Sequence, residues 1–225
     1  MKPVLILLAG LSLIGLTSCL EETTCGADVR LGAFNLTNAY QTYFPYGGTE
    51  ELVFVDGNGN ELRMESKSLK DSVQRLIVRN PCFSPSTGSQ DEYYDIQTIT
   101  QTFTGGGFTL KIYIQPDLIN PTSPDTIVVD QLLITLRKSG TEVLTGPNFI
   151  VSDRGNDLPS VYKNQDYYER VRMIGDTTLA GREYTEVYTV DRVYDEEPQI
   201  YYSLNRGVVG MDIPFEAFWQ LDRIE

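Results

Sequence analysis

The alternation of apolar and polar residues over residues 108–115 constrains the fold of this chain more than any other feature. Phe108, Leu110, Ile112 and Ile114 alternate there with residues that tolerate water. Successive side chains of a strand point to opposite faces, so this period of two predicts a strand with one face in the core. Glycines at 105–107 connect it to another strand-like segment, residues 93–103. The two segments therefore predict a β-hairpin.

Further strand candidates follow along the chain, and the last five of them have short connections between them. They are residues 52–55 and 62–64 around an Asp-Gly-Asn turn, 126–137, and then 167–174, 184–193, 200–205, 208–213 and 217–224. Parallel strands would need crossover helices between them, and these connections are too short for one. The pattern therefore predicts a mainly β chain with antiparallel sheets, arranged as a sandwich or as a curved, half-barrel-like meander.

Two segments are candidates for a helix, so the sequence predicts at most one or two short helices. They are residues 68–76, with Leu69, Val73 and Leu76 on one side, and residues 160–169. The strand pattern becomes less regular from residue 146 onwards, where a polar stretch begins. We expect a β unit at 27–145 and a C-terminal antiparallel meander at 146–225, which can also pack together as one domain.

The N-terminus resembles a bacterial lipoprotein signal. Lys2 precedes a short apolar segment that ends in Leu-Thr-Ser-Cys at 16–19, and this segment is too short to span a membrane. The resemblance implies cleavage after residue 18, a lipid on Cys19 and a tether at 19–26. An ordinary secretory signal with a chance cysteine is the alternative.

Other short motifs resemble those of Bacteroidota-type lipoproteins. The acidic pair at 21–22 is similar to their signal for export to the outer face of the outer membrane, with a periplasm-facing position as the alternative. Three Asp-Ser/Thr triplets are similar to their O-glycan acceptors, which implies glycans on Ser72, Thr126 and Thr177.

The two remaining cysteines are predicted to form a disulfide. If Cys19 carries lipid, Cys25 and Cys82 are the other thiols of the chain, and an exported protein folds in an oxidising compartment. Two isolated thiols are the alternative.

The chain contains no histidine and has a net charge of −13. The first fact excludes Ser-His-Asp and Cys-His nucleophile systems and histidine-ligated zinc. The negative net charge and the lack of a cluster of Lys or Arg in the sequence argue against nucleic acid as a partner. No catalytic residue, metal site or cofactor is predicted.

The C-terminal third resembles the ending of uncharacterised Bacteroidota-type lipoproteins. The similar segments are 175–188, Ile-Tyr-Tyr-Ser at 200–203, Gly-Val-Val-Gly at 207–210 and Phe-Trp-Gln-Leu at 218–221. This resemblance implies no activity. Trp219, Tyr201 and Tyr202 are candidates for stacking on sugar rings, although strands also use aromatic residues for packing alone.

The sequence favours a non-enzymatic, lipid-anchored envelope protein that binds a glycan, a peptide or a protein partner at the outer membrane. A lipid or lipoprotein carrier with a curved sheet is the first alternative. A polysaccharide hydrolase that uses two carboxylates is the second. The acidic residues Asp191, Asp195, Glu196 and Glu197 are candidates for the latter, but such a charged run is typical of a solvated loop.

Overall fold

The computed structural model describes residues 25–38, 40–84, 88–119, 126–139, 143–155, 171–190, 198–214 and 216–225, with the backbone alone at 84, 143–147, 171, 172 and 190. These residues form twelve strands and one short helix. In chain order they are β1 (Val29–Phe34), α1 (Tyr40–Tyr43), β2 (Glu51–Val55), β3 (Glu61–Ser84), β4 (Gly88–Gly105), β5 (Phe108–Ile119), β6 (Ile127–Lys138), β7 (Val143–Ser152), β8 (Val171–Leu179), β9 (Arg182–Val190), β10 (Gln199–Ser203), β11 (Gly207–Asp212) and β12 (Phe218–Ile224).

All twelve strands belong to one open, curled sheet that forms a half-barrel. Its order is β7-β6-β5-β4-β3-β2-β12-β11-β10-β9-β8, and neighbours along this path are antiparallel. The predicted mainly β, antiparallel fold is therefore confirmed, with the half-barrel rather than the sandwich arrangement. β1 is the exception, since it pairs parallel to β4.

The hydrophobic core lies on the concave face of this sheet. Phe103 of β4 pairs with Leu110 of β5, which pairs with Leu136 of β6, and all three side chains are fully buried. The alternation along β5 accounts for this, because Leu110, Ile112 and Ile114 all point to the concave face. The intervening residues of β5 therefore lie on the convex face.

Strands from both halves of the chain share this core. Phe149 of β7 stacks on Tyr188 of β9, with ring centroids 4.4 Å apart, and also contacts Tyr202 of β10. The two ends of the sheet therefore meet across its concave face. The expected boundary at residue 146 falls inside β7, which pairs with β6.

The predicted helix at 68–76 is wrong, because these residues lie within β3. Each is part of a regular antiparallel pairing with β4, from Ser68 opposite Thr102 to Leu76 opposite Tyr94. The helical spacing of Leu69 and Val73 is also an even spacing, so both residues share one face of a strand. The pairing with β4 supplies the backbone hydrogen bonds that a helix would have made locally. The other predicted helix, 160–169, lies outside the described residues.

The β3–β4 hairpin extends past the end of its pairing with β5. We call this extension the arm: residues 68–84 of β3, residues 88–98 of β4, and β1. β5 pairs with β4 from Ile99 to Gly105, and β1 takes the position beside β4 from Glu92 to Ile96.

The predicted disulfide is confirmed and lies in the arm. It joins Cys25, just before β1, to Cys82 of β3, with their Cα atoms 5.6 Å apart. No helix of the described residues is both long enough and apolar enough to cross a membrane.

Candidate binding surface on the convex face

The structure does not bring the three predicted stacking residues together. Tyr202 is fully buried and its hydroxyl donates to the Tyr43 carbonyl at 2.7 Å, so its proposed contact with a ligand is wrong. Tyr202 is instead a core residue, since its polar end finds a partner while its ring packs.

Tyr201 and Trp219 lie on opposite faces of the sheet. Tyr201 is opposite Gly210, which is opposite Gln220, the neighbour of Trp219. Tyr201 contacts the Phe218 ring, whereas Trp219 is opposite the buried Met211, and both residues are partly buried against the core. No shared aromatic platform forms from them.

The other predicted residues have separate positions. Ser72 is half-buried on β3, Thr177 half-buried on β8, and Thr126 exposed just before β6. Cys19 and the four acidic residues at 191 and 195–197 lie outside the described residues. Within the described part of the chain, no group of three or more His, Cys, Asp or Glu residues is placed to hold a metal ion.

Asp117 is a carboxyl group with an altered acidity. Burial raises its pKa, although it accepts hydrogen bonds from the Leu118 N–H at 2.8 Å and from Gln131. Its ionised form is thus less favoured than that of an exposed aspartate.

A group of basic and hydroxyl side chains covers the convex face of β3 to β6. The strand register places Lys70 opposite Thr100, and Thr100 opposite Tyr113. One row further, Lys111 lies between Thr102 and Thr135. In the third row Thr109 lies between Thr104 and Arg137. We call Lys70, Lys111, Tyr113 and Arg137, with the threonines Thr102, Thr104, Thr109 and Thr135, the convex patch.

The convex patch contains a shallow groove of about 200 Å³. Its walls are Thr109, Lys111 and Tyr113 of β5 and Thr135 and Arg137 of β6. Because drug-sized pockets measure about 300–1,000 Å³, this groove suits one part of an extended ligand. Lys111 and Arg137 are diagonal neighbours on adjacent strands, so their Cβ atoms are about 7–8 Å apart.

The three cations of the convex patch differ from most other basic residues of the described chain. Many of those form ion pairs with Asp or Glu: Arg30, Arg63, Lys67, Arg75, Arg79, Lys138, Arg154, Arg182 and Arg223. Arg206 lies over the Tyr184 ring. Of the basic side chains that the structure describes, Lys70, Lys111 and Arg137 make no ion pair and no hydrogen bond, and all three are exposed.

Among the described residues, the three rows of β3 to β6 contain one acidic side chain. Glu65 is on the same row as Thr104 and Arg137, but its carboxylate pairs with Lys67 at 2.6 Å, which lowers its pKa. In a chain with a net charge of −13, three unpaired cations on one face form a local positive region.

This patch is not apparent from the sequence because its cations come from three strands that are distant in the chain. Alternation alone assigns Lys111 to the polar face of β5. Only the register of β3, β4, β5 and β6 brings Lys70 and Arg137 beside it.

No family model matches this chain, and comparisons with curated proteins and with solved structures found no match either.

Proposed function

We propose that this protein is a lipid-anchored envelope lipoprotein at the outer membrane surface that binds an anionic glycan, without catalysis, through the convex patch. The observation that carries the proposal is the set of three exposed, unpaired cations among threonine hydroxyls and Tyr113 on one sheet face. Carboxylate or sulfate groups of a glycan would pair with Lys and Arg. Its hydroxyl groups would exchange hydrogen bonds with the threonines.

Three features support the envelope location. The Leu-Thr-Ser-Cys segment at residues 16–19 resembles the signal for acylation of a cysteine, here Cys19. The Cys25–Cys82 disulfide is typical of proteins that fold in an oxidising compartment. Moreover, the segment between Cys19 and Cys25 spans at most about 20 Å, so a lipid on Cys19 would keep the arm close to the membrane.

The packing of the half-barrel favours a binding surface over the carrier alternative. A carrier needs a large apolar cavity beneath its curved sheet. The described residues instead fill the concave face with packed side chains, among them Phe54, Phe103 and Phe149, each fully buried. Among the described residues, the exposed cations Lys70, Lys111 and Arg137, which make no ion pair, lie on the convex face.

Binding of a sulfated polysaccharide and of a polyuronate to the purified full chain, measured by titration calorimetry, tests the glycan proposal. The double variant Lys111→Gln/Arg137→Gln should bind about 5- to 30-fold more weakly, because each exposed ion pair contributes about 0.5–1 kcal/mol. Raising the salt concentration should weaken wild-type binding as well.

Arg206→Gln is the matched control, because Arg206 is exposed and lies outside the convex patch. It should leave the affinity unchanged. Equal binding by wild type and the double variant, or equal binding of a neutral glucan, would contradict the proposal.

The anchor has its own test. Cells that express the wild-type chain should incorporate labelled fatty acid into it, and the Cys19→Ala variant should incorporate none. Equal labelling of the two would exclude acylation at Cys19.

A further inference from the structure

In the part of the chain that the structure describes, the outer edge of β3 has no partner strand along the arm. β2 pairs with β3 only from Glu61 to Glu65, and Ser66 makes the last backbone bond on this side, from its N–H to the Glu50 carbonyl. From Ser68 onwards, β4 is the neighbour of β3 in the described structure. An unpaired edge exposes N–H and C=O groups that can pair with another strand.

This edge is regular over residues 68–77. β-Bulges interrupt the pairing with β4 just before Ser68 and just after Ile77, and none lies between. Pro81 also lies beyond this stretch. The bulges and the proline, which protect an edge strand from pairing, are therefore placed at the ends of the regular stretch, while the charged residues Lys70, Asp71 and Arg75 lie within it.

The side chains on the concave side of this stretch alternate between apolar and charged. Leu69, Val73 and Ile77 are 41%, 71% and 55% exposed. Asp71 and Arg75 lie between them on the same face. Along this face the order is apolar, acidic, apolar, basic, apolar. When a second copy of the same segment runs antiparallel to it, apolar residues face apolar residues and the acidic residue faces the basic one.

We propose that two copies of this chain pair antiparallel through the β3 edge, with Val73 at the two-fold axis. In this register Val73 faces Val73 of the other copy, Leu69 faces Ile77, and Asp71 faces Arg75. On the concave face each apolar side chain thus meets an apolar one and each charge meets an opposite charge, whereas on the convex face Ser72 faces Gln74 and Lys70 faces Leu76. Directly opposite pairs of this kind stabilise antiparallel strands, and like charges destabilise them.

Neighbouring registers pair the side chains of the concave face less favourably. A shift of the pairing by one residue would set concave side chains opposite convex ones, which the pleat forbids. An axis at residue 72 or 74 sets charged residues opposite apolar ones. An axis at Asp71 or Arg75 sets two like charges opposite each other.

This self-complementarity is the reason to assign the edge to a second copy rather than to another protein. The two-fold axis is perpendicular to the joined sheet, so it places both convex patches on the same side. The inference does not require the lipid or the glycan, because Asp71, Val73 and Arg75 lie on the concave face.

Disulfide cross-linking of the exported full chain tests the register. In Val73→Cys, the two introduced cysteines would be directly opposite, with Cα atoms about 4.5–5.5 Å apart, within the range that a disulfide bridges. A linked dimer should therefore appear on a non-reducing gel. Gln74→Cys is the matched control, because residue 74 is also exposed and would lie opposite residue 72, beyond disulfide reach of its own copy.

A charge exchange tests the pairing independently of cysteine chemistry. Asp71→Arg would set arginine against Arg75 at two places and should weaken dimerisation at least tenfold in analytical ultracentrifugation. The exchanged variant Asp71→Arg/Arg75→Asp should restore it. Far-UV circular dichroism checks that each variant is folded, since Arg75 also pairs with Asp28 within the arm.

Several results would overturn the inference: a monomeric wild-type chain at every concentration, equal cross-linking at positions 73 and 74, or a folded exchanged variant that stays monomeric. None of these results would bear on glycan binding through Lys111 and Arg137, which lie on the convex face of β5 and β6, away from the β3 edge.

Discussion

The buried ion pair between Asp130 and Arg154 gives the most informative prediction about stability. Asp130 lies on β6 with no exposed surface, and the Arg154 side chain is 17% exposed. Arg154 Nε donates to Asp130 Oδ1 at 3.0 Å, and its Nη2 donates to the same oxygen and, at 2.6 Å, to the Asn35 carbonyl. The Thr37 hydroxyl donates to Asp130 Oδ2 at 2.5 Å. The group joins the segment after β1 to β6 and to the turn after β7.

Removing only the arginine should lower the free energy of unfolding strongly. In Arg154→Met, Asp130 stays buried and loses its counter-charge, retaining its bonds from Thr37. Breaking a buried pair in this way costs about 3–5 kcal/mol. Asp130→Asn should cost less, about 1.5–3 kcal/mol, because it removes the buried charge and leaves Arg154 partly accessible to water. In the double variant Asp130→Leu/Arg154→Met the loss of unfolding free energy should be smaller than the sum of the losses in the single variants, since no charge stays buried.

Guanidinium unfolding, followed by the fluorescence of the single tryptophan, Trp219, measures these differences. The matched control is Arg30→Met, which breaks the exposed pair with Asp95, where the arginine side chain is 54% exposed. That change should cost less than about 1 kcal/mol. If Arg154→Met destabilises no more than Arg30→Met, the assignment of a burial penalty to this site is wrong.

Three further predictions concern the disulfide, a glycine and a buried acid. Replacing both disulfide cysteines by serine opens a loop of sequence separation 57 and should lower the free energy of unfolding by about 4 kcal/mol in denaturant titrations; a loss under about 1 kcal/mol would refute the loop-entropy argument. Gly207→Ala would place its Cβ 1.9 Å from the Tyr46 hydroxyl at φ +78°, so it should destabilise by about 2–4 kcal/mol, clearly more than Gly155→Ala, which has φ +77° but open space. Burial raises the pKa of Asp117, so its carboxyl group favours folding when protonated and loses that contribution as pH rises through the raised pKa. Asp117→Asn should therefore raise stability at neutral pH and give a smaller difference near pH 4; equal effects at both would contradict the shift.

Much of the fold was predictable because its signals are local. Alternation over 108–115 and the preceding glycines were enough for the β4–β5 hairpin, and the short connections after residue 171 were enough for the β8–β12 meander. Each depends only on the two-residue period of a strand and on the length of a turn. The disulfide followed from the cysteine count and the expected compartment.

The candidate surfaces were not predictable, because they depend on which strands become neighbours. Lys70, Lys111 and Arg137 form one patch only through the register of four strands, and Tyr202 is buried only because β7 meets β9 and β10 across the concave face. The failed helix at 68–76 has the same origin, since a spacing of four residues fits both a helix and one face of a strand.

By itself, therefore, the sequence determined that this chain forms antiparallel strands and which side chains of each strand avoid water, since both follow from neighbours within a few residues. Only the tertiary structure decided how the strands are ordered, which edge of β3 stays unpaired and which cations lack partners. Those properties depend on hydrogen-bond pairing between segments that are far apart in the chain, and no local pattern encodes that pairing.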